Sequence, residues 1–104
     1  MAFIQVLLSG AAGVVAGSAA AVQRNNDHYG IFKVTRAGGS ITSFSMNIEG
    51  RMSPSDSWYV IGTVTQADYD PNNCIARIVQ LWPEMRANQT AYTGVGNNTA
   101  WLCE

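Results

Sequence analysis

The feature that most restricts the fold of this chain is a strict alternation of apolar and polar residues between Thr42 and Arg51. Phe44, Met46 and Ile48 share one side of this segment, and the intervening positions are serine, asparagine and glutamate. A period of two matches a β-strand, in which successive side chains point to opposite faces of the sheet. The segment therefore predicts a strand with one face in a core and the other in water.

The rest of the chain repeats this kind of segment at regular intervals. Runs of β-branched and aromatic residues are separated by turn formers such as Gly38-Gly39 and Asp70-Pro71. Turn signals about every 8–12 residues are typical of a sandwich or barrel, and 104 residues suit one domain. We therefore predict an all-β fold, a single small jelly-roll-like β-sandwich with about eight short strands. Besides two strands before residue 25, the predicted strands are Tyr29–Arg36, Thr42–Arg51, Trp58–Thr65, Cys74–Trp82, Met85–Tyr92 and Thr99–Cys103.

The first 24 residues differ from the rest because almost all of them are apolar or small. A signal peptide would begin with basic residues, which Met1–Gln5 lacks, and the glycines and alanines dilute the hydrophobicity that a membrane helix needs. We prefer a strand at Phe3–Leu8, a flexible Gly/Ala-rich arm at Ser9–Ala19 and a second strand at Ala20–Arg24. The chain then divides into an N-terminal strand and arm, residues 1–24, and a β-sandwich domain, residues 25–104.

An arm of small residues can lie in a groove on another subunit, because glycine lets the backbone approach closely. We therefore predict that the arm contacts a partner. The candidate contact residues are Ser9, Gly10, Gly13, Val14, Val15 and Gly17.

Charge is sparse in this chain. Six Lys and Arg residues and seven Asp and Glu residues give a net charge of −1, and Lys33 is the single lysine. Nucleic-acid binding depends on neutralising phosphates with a basic patch, so we predict no nucleic-acid partner, and no membrane partner. A content of 12% charged residues suits a protein packed against neighbours, since charges are depleted at interface cores.

Catalytic and metal-binding signals are weak. His28, the only histidine, follows Asp27 in a polar stretch, and nothing in the sequence indicates that a serine meets them in space. The run Asp68–Asn72 places oxygen ligands at alternate positions but lacks the glycine and glutamate of a calcium loop. Cys74 and Cys103 are expected to be small buried hydrophobes rather than a disulfide. We predict no enzymatic activity, no cofactor and no metal site.

The aromatic residues allow two interpretations. Tyr59, Trp82, Tyr92 and Trp101 are favoured as core residues, because packing is the commoner use of large rings in a small sandwich. The alternative is a glycan platform formed by the exposed rings of Tyr59, Trp82 and Trp101.

Three blocks of the sequence together resemble a known type of protein. They are AGSAAAVQ at Ala16–Gln23, IEGRMSPSDSWYVIGTVT at Ile48–Thr65 and WPEMRANQTAYTG at Trp82–Gly94. These blocks resemble small β-sandwich virion proteins of tailed bacteriophages, of the capsid cement or decoration type. The resemblance implies a structural protein of the virion, assembled in the host cytoplasm, that binds the outer capsid surface and stabilises the shell. Its implied partners are the major capsid protein and copies of itself, as a trimer or dimer.

The second and third of these blocks also resemble discoidin-type jelly rolls, which bind glycans or lipids. The matching segment is Ser53–Trp58, which lacks the glycine of that pattern; the resemblance implies that Trp58 plugs one end of the sandwich and that Arg86 lies on a late strand. A glycan-binding jelly-roll module is therefore one alternative function, and a tail or neck adaptor of the virion is another. The sequence does not distinguish a capsid location from a tail or neck location.

Overall fold

The computed structural model describes residues 4–22, 28–38, 41–70 and 74–103. They form two antiparallel β-sheets packed face to face, which confirms the predicted all-β sandwich. A 3-10 turn at Gln66–Asp68 joins the sixth and seventh strands. The strands in the described part of the chain are β1 Ile4–Ala11, β2 Val15–Ala16, β3 Ala20–Ala21, β4 Tyr29–Ala37, β5 Ile41–Arg51, β6 Tyr59–Thr65, β7 Cys74–Gln80, β8 Glu84–Gly94 and β9 Asn97–Cys103.

The strands divide between a sheet that we name sheet A and a sheet that we name sheet B. Sheet A has the order β1-β9-β4-β7. In sheet B, β8 pairs with β5 on one side and with the short strands β2 and β3 on the other, and β6 forms the opposite edge beside β5. The chain passes from sheet B to sheet A between β8 and β9, and a hydrogen bond from Asn98 of β9 to Gln89 of β8 joins these consecutive strands across the core.

The alternation on β5 is the source of one half of the core. Phe44, Met46 and Ile48 are all buried, and Phe32 and Val34 of β4 are buried on the facing side of sheet A. Burial of each such side chain stabilises the fold by about 1.5–3 kcal/mol. The sandwich therefore depends on the two-residue period that the sequence shows most clearly.

The side chains on the outer side of β5 are less exposed to solvent than the alternation predicts. Ser45 and Asn47 are half-buried, and Glu49 is only 5% exposed. The reason lies in the neighbouring strand β8, whose Arg86 and Asn88 side chains cover the Glu49 carboxylate.

Residues 12–21, which we name the strap, lie against the sandwich of the same chain. Val15 pairs with Gln89 of β8 and Ala20 pairs with Met85 of β8, so the strap crosses from the edge of sheet A to the edge of sheet B. Strand edges expose unpaired backbone N–H and C=O groups, and the strap pairs with part of this edge, from Glu84 to Gln89 of β8. The predicted bounds of the arm, Ser9–Ala19, are thus corrected: Ser9 and Gly10 belong to β1, and Val15–Ala16 pairs with β8.

The strap can lie this close because of Gly17. Its N–H donates a 2.7 Å hydrogen bond to the carbonyl oxygen of Ala87 on β8. On its other side, a β-carbon at position 17 would overlap the carbonyl oxygen of Leu7 on β1. Only glycine fits between these two backbones.

Candidate interaction surfaces

A polar network in the core holds the strap and both sheets together. Gln89, fully buried on β8, donates from Nε2 to the carbonyl oxygens of Ala11 at 3.3 Å and Gly13 at 2.8 Å. Its Oε1 accepts a 2.7 Å hydrogen bond from Nδ2 of Asn98 on β9. The hydroxyl of Tyr69 donates to Oδ1 of Asn98. These amides satisfy one another and leave no group free for a ligand, so the network is structural.

Tyr69 completes this network at one end of the sandwich. Its ring packs against Phe44, with 5.4 Å between ring centroids, and the Arg36 guanidinium lies 4.5 Å from its centroid. Burial raises the pKa of Tyr69 to about 12, although the charge of Arg36 opposes the shift. The phenol is therefore a neutral donor at neutral pH.

Two ion pairs cover the outer face of sheet B. Nε of Arg86 lies 2.6 Å from Oε1 of Glu49, and Nε of Arg51 lies 2.6 Å from Oε1 of Glu84. Asn88 donates a further 3.1 Å hydrogen bond to Oε2 of Glu49. Two positive and two negative groups cancel within the cluster, so it presents no net charge to a partner.

Trp58 lies over this cluster. The guanidinium carbons of Arg51 and Arg86 lie 4.2 Å and 4.6 Å from the centroid of its ring. The expectation that Trp58 plugs one end of the sandwich is therefore corrected, because the ring is held by two arginines of sheet B. Cation–π contacts of this kind contribute about 0.5–2 kcal/mol each, so Trp58 fixes the 52–57 loop to the sheet.

The three rings of the predicted glycan platform do not come together. Tyr59 and Trp82 are neighbours, with ring centroids 5.8 Å apart and an angle of 32° between the rings, and Trp82 also packs on Gly50. Trp101 is on β9 in the other sheet, between Val6 and Lys33 in the strand pairing. A ligand on the Tyr59 ring would therefore not reach Trp101.

The aspartates that the sequence placed in a weak calcium-loop pattern bind other groups of the chain. Oδ1 of Asp70 accepts a 3.0 Å hydrogen bond from the backbone N–H of Cys74, and Asp68 is paired with Arg77. His28 is exposed, while Asp27 lies outside the described residues. Within residues 4–22, 28–38, 41–70 and 74–103, no group of three or more His, Cys, Asp or Glu side chains could hold a metal ion.

The outer face of sheet A is the unusual surface of this protein. Strand pairing aligns Ile4, Cys103, Ile31 and Ile78 in one row across all four strands. Ile4 is 61% exposed and Ile78 is 79% exposed, and Ile31 is also exposed. Tyr29, two residues before Ile31 on the same side of β4, is exposed as well.

The next row across sheet A consists of Val6, Trp101, Lys33 and Ala76. Ile4, Lys33, Trp101 and Cys103 line a depression of about 210 Å³ between the two rows. Both cysteines are free and half-buried, and Cys103 is one wall of this depression. The face therefore combines a flat apolar surface, one shallow recess and one amine.

Sequence reasoning did not identify this face. The signal was present in β4 and β7, where apolar residues occupy both the inward and the outward positions. Such strands are typical of sheets covered on both faces, and among the described residues only the inward face is covered.

Comparisons with protein-family models, with curated proteins and with solved structures gave no significant match to this chain. Within the described residues, no helix has the length and hydropathy needed to cross a membrane.

Proposed function

We propose that this chain is a structural protein of a virus particle, a decoration protein that binds the outer surface of the capsid and stabilises the shell. The observation that supports this proposal most is the exposed apolar row on sheet A, from Ile4 to Ile78. Contiguous exposed apolar surface marks interaction sites in soluble proteins. The sequence resemblance supplies the identity of the partner, the major capsid protein.

The proposed mechanism is mechanical and follows from mass action. A protein that binds only the assembled shell stabilises it relative to its dissociated or ruptured state, in proportion to the logarithm of 1 + [L]/Kd, where [L] is the concentration of the free chain. Each bound copy that touches two shell subunits adds interface area between them. A domain with a net charge of only −1 suits this role, because its copies can cover a lattice densely without strong electrostatic repulsion.

Copies of the chain form dimers or trimers in this proposal, and the predicted arm residues contact the capsid or a neighbouring copy. Val14 and Val15 are exposed on the strap, beside Ser9, Gly10, Gly13 and Gly17. That these six residues touch a partner stays a prediction.

The test is to add the purified chain back to particles that lack it. We expect binding to saturate at a fixed number of copies per shell and the shells to rupture at a higher temperature. Absence of binding would contradict the proposal. Cryo-electron microscopy of the same particles locates the bound copies, and density confined to the tail or neck would replace the decoration role with that of an adaptor.

A second candidate function, glycan binding, has one observation in its favour. The stacked pair of Tyr59 and Trp82 keeps the Tyr59 ring 56% exposed, and aromatic rings of this kind can stack on sugars. A glycan array with the wild-type chain and with Tyr59→Ala tests it. Binding that Tyr59→Ala abolishes and Trp101→Ala does not would support this role, and no binding would exclude it.

A further inference from the structure

We infer that sheet A docks on a protein surface that is apolar and flat and that carries one carboxylate, which pairs with Lys33. This inference rests on the proposed function and names the chemistry of the shell surface that the decoration protein would recognise. It also assigns the orientation of the bound copy, with sheet A toward the shell and the ion-paired face of sheet B toward solvent.

The charge distribution on sheet A points to a carboxylate. Lys33 lies on an interior strand, β4, between Trp101 of β9 and Ala76 of β7. Among the described residues, it is the only charged side chain at an outward position of this sheet, and it takes part in none of the ion pairs. Covering an unpaired amine with an apolar partner is strongly unfavourable because the charge loses its water, so a partner that covers this face must supply an acidic group.

The same residue argues against a second copy as the occupant. In a face-to-face dimer with two-fold symmetry, identical surfaces meet, and the Lys33 side chains of both copies would be buried in one interface. No acidic side chain stands among the outward positions of the described strands of sheet A to neutralise them. A different protein, with a carboxylate at the matching position, avoids this repulsion.

The size of the face argues for a partner that offers many sites. Four strands about 4.8 Å apart, with apolar outward positions over about 20 Å of their length, present roughly 400 Å². A stable pair of proteins buries about 800 Å² per partner. One face thus gives weak binding, which becomes effective when linked copies engage neighbouring sites on a lattice.

The depression beside Lys33 provides a place for the acidic side chain. Its walls are the Trp101 ring, Ile4 and Cys103, and its volume is about 210 Å³, which accommodates a single side chain. The apolar walls suit the methylene groups of a glutamate, and the Lys33 amine can receive its carboxylate. Hydrogen bonds between charged groups are about twice as strong as neutral ones.

The experiment measures binding of the full chain to particles that lack it, at two salt concentrations. The variants are Lys33→Glu, which reverses the charge, and Ile78→Asp, which places a charge at a site 79% exposed. The matched control is Val60→Asp, because Val60 is also exposed but lies on β6 of sheet B. Circular dichroism and thermal unfolding check that all four proteins are folded.

We expect Lys33→Glu and Ile78→Asp each to weaken binding by about tenfold or more, while Val60→Asp binds as the wild type does. Wild-type binding should also weaken with salt, and Lys33→Glu should be rescued by changing one acidic residue of the shell protein to lysine. If the wild type binds and both sheet A variants bind equally well, the inference is wrong although the proposed function stands. If the wild type does not bind shells at all, the proposed function itself fails. Sedimentation that shows a wild-type dimer lost in Ile78→Asp would overturn the choice of partner.

Discussion

The side-chain amide of Asn98 donates a 2.7 Å hydrogen bond to Oε1 of Gln89, and both residues are fully buried between the two sheets. This bond joins β9 of sheet A to β8 of sheet B across an otherwise apolar core. A buried amide without a partner is costly, so the bond forms only when both strands are in their native register. Gln89 also binds the backbone of Gly13, and the same side chain therefore holds the strap in place.

Replacing Gln89 with alanine should lower the free energy of unfolding by about 2–4 kcal/mol, because it opens a cavity and leaves Nδ2 of Asn98 and two backbone carbonyls unpaired. Denaturant unfolding measures this loss, and amide hydrogen exchange should become faster in the strap than in β5. The control is Thr90→Ala, next along β8 but exposed; it removes one 3.3 Å hydrogen bond to the carbonyl oxygen of Ser45 and should cost no more than about 1 kcal/mol. A loss equal to that of the control would show that the network does not stabilise the fold.

The double variant Gln89→Ala/Asn98→Ala, compared with the two single variants, measures the interaction between these two side chains apart from their contacts with other residues. Side chains in one hydrogen-bond network couple by about 0.5–3 kcal/mol. We expect the double variant to lose less stability than the two single variants added together, because either single change already breaks the 2.7 Å bond. Strict additivity in denaturant unfolding would contradict a direct interaction.

The sequence was sufficient to predict the sandwich because β5 alternates so regularly. The sequence was not sufficient to predict the strap, since residues 12–21 have no hydrophobic pattern of their own. The strap depends on Gln89, which is distant in the sequence, and on Gly17, which the sequence does not distinguish from the other glycines. Glu49 was predicted to face water because it lies on the polar side of the alternation in β5, and its cover comes from Arg86 on another strand. These are tertiary effects that local patterns do not record.

The candidate interaction surface was missed for a related reason. The outward residues of β4 and β7, such as Ile31 and Ile78, look like core residues in the sequence. Only the strand order shows that nothing in the described chain covers them. The depression beside Lys33 likewise requires β1, β9 and β4 to be neighbours, which no single segment reveals.

Replacing Trp58 with alanine should lower the free energy of unfolding by about 1–2 kcal/mol, because both cation–π contacts are lost. Thermal unfolding measures the change, and proteolysis should cut the 52–57 loop faster. Trp58→Phe keeps a ring over Arg51 and Arg86 and should recover part of the stability. Equal losses for the two variants would show that the aromatic face contributes nothing.

Replacing Gly17 with alanine should lower the free energy of unfolding by about 1–3 kcal/mol, because the new methyl group would overlap the carbonyl oxygen of Leu7 and force two backbones apart. Gly13→Ala is the control, since a β-carbon there meets no atom within 4 Å. That variant should be neutral or slightly stabilising, by up to about 1 kcal/mol. A neutral Gly17→Ala variant would mean that the strap does not lie against β1 in solution.

Tyr69 should make the protein sensitive to alkaline pH. Its pKa is raised by burial from 10.0 to about 12, so the folded chain holds the phenol proton more tightly than the unfolded chain does. The contribution to stability is complete below pH 10, falls as the pH rises from 10 toward 12, and is lost above it, because the unfolded state then releases its proton first. Denaturant unfolding across this range measures the decline, and tyrosinate absorbance should show one phenol with a pKa of about 12. Tyr69→Phe should remove both this part of the decline and the phenol with a pKa of about 12. Tyr29→Phe, at an exposed position, is the control and should keep both. A titration that Tyr69→Phe leaves unchanged would contradict the place of Tyr69 in the buried network.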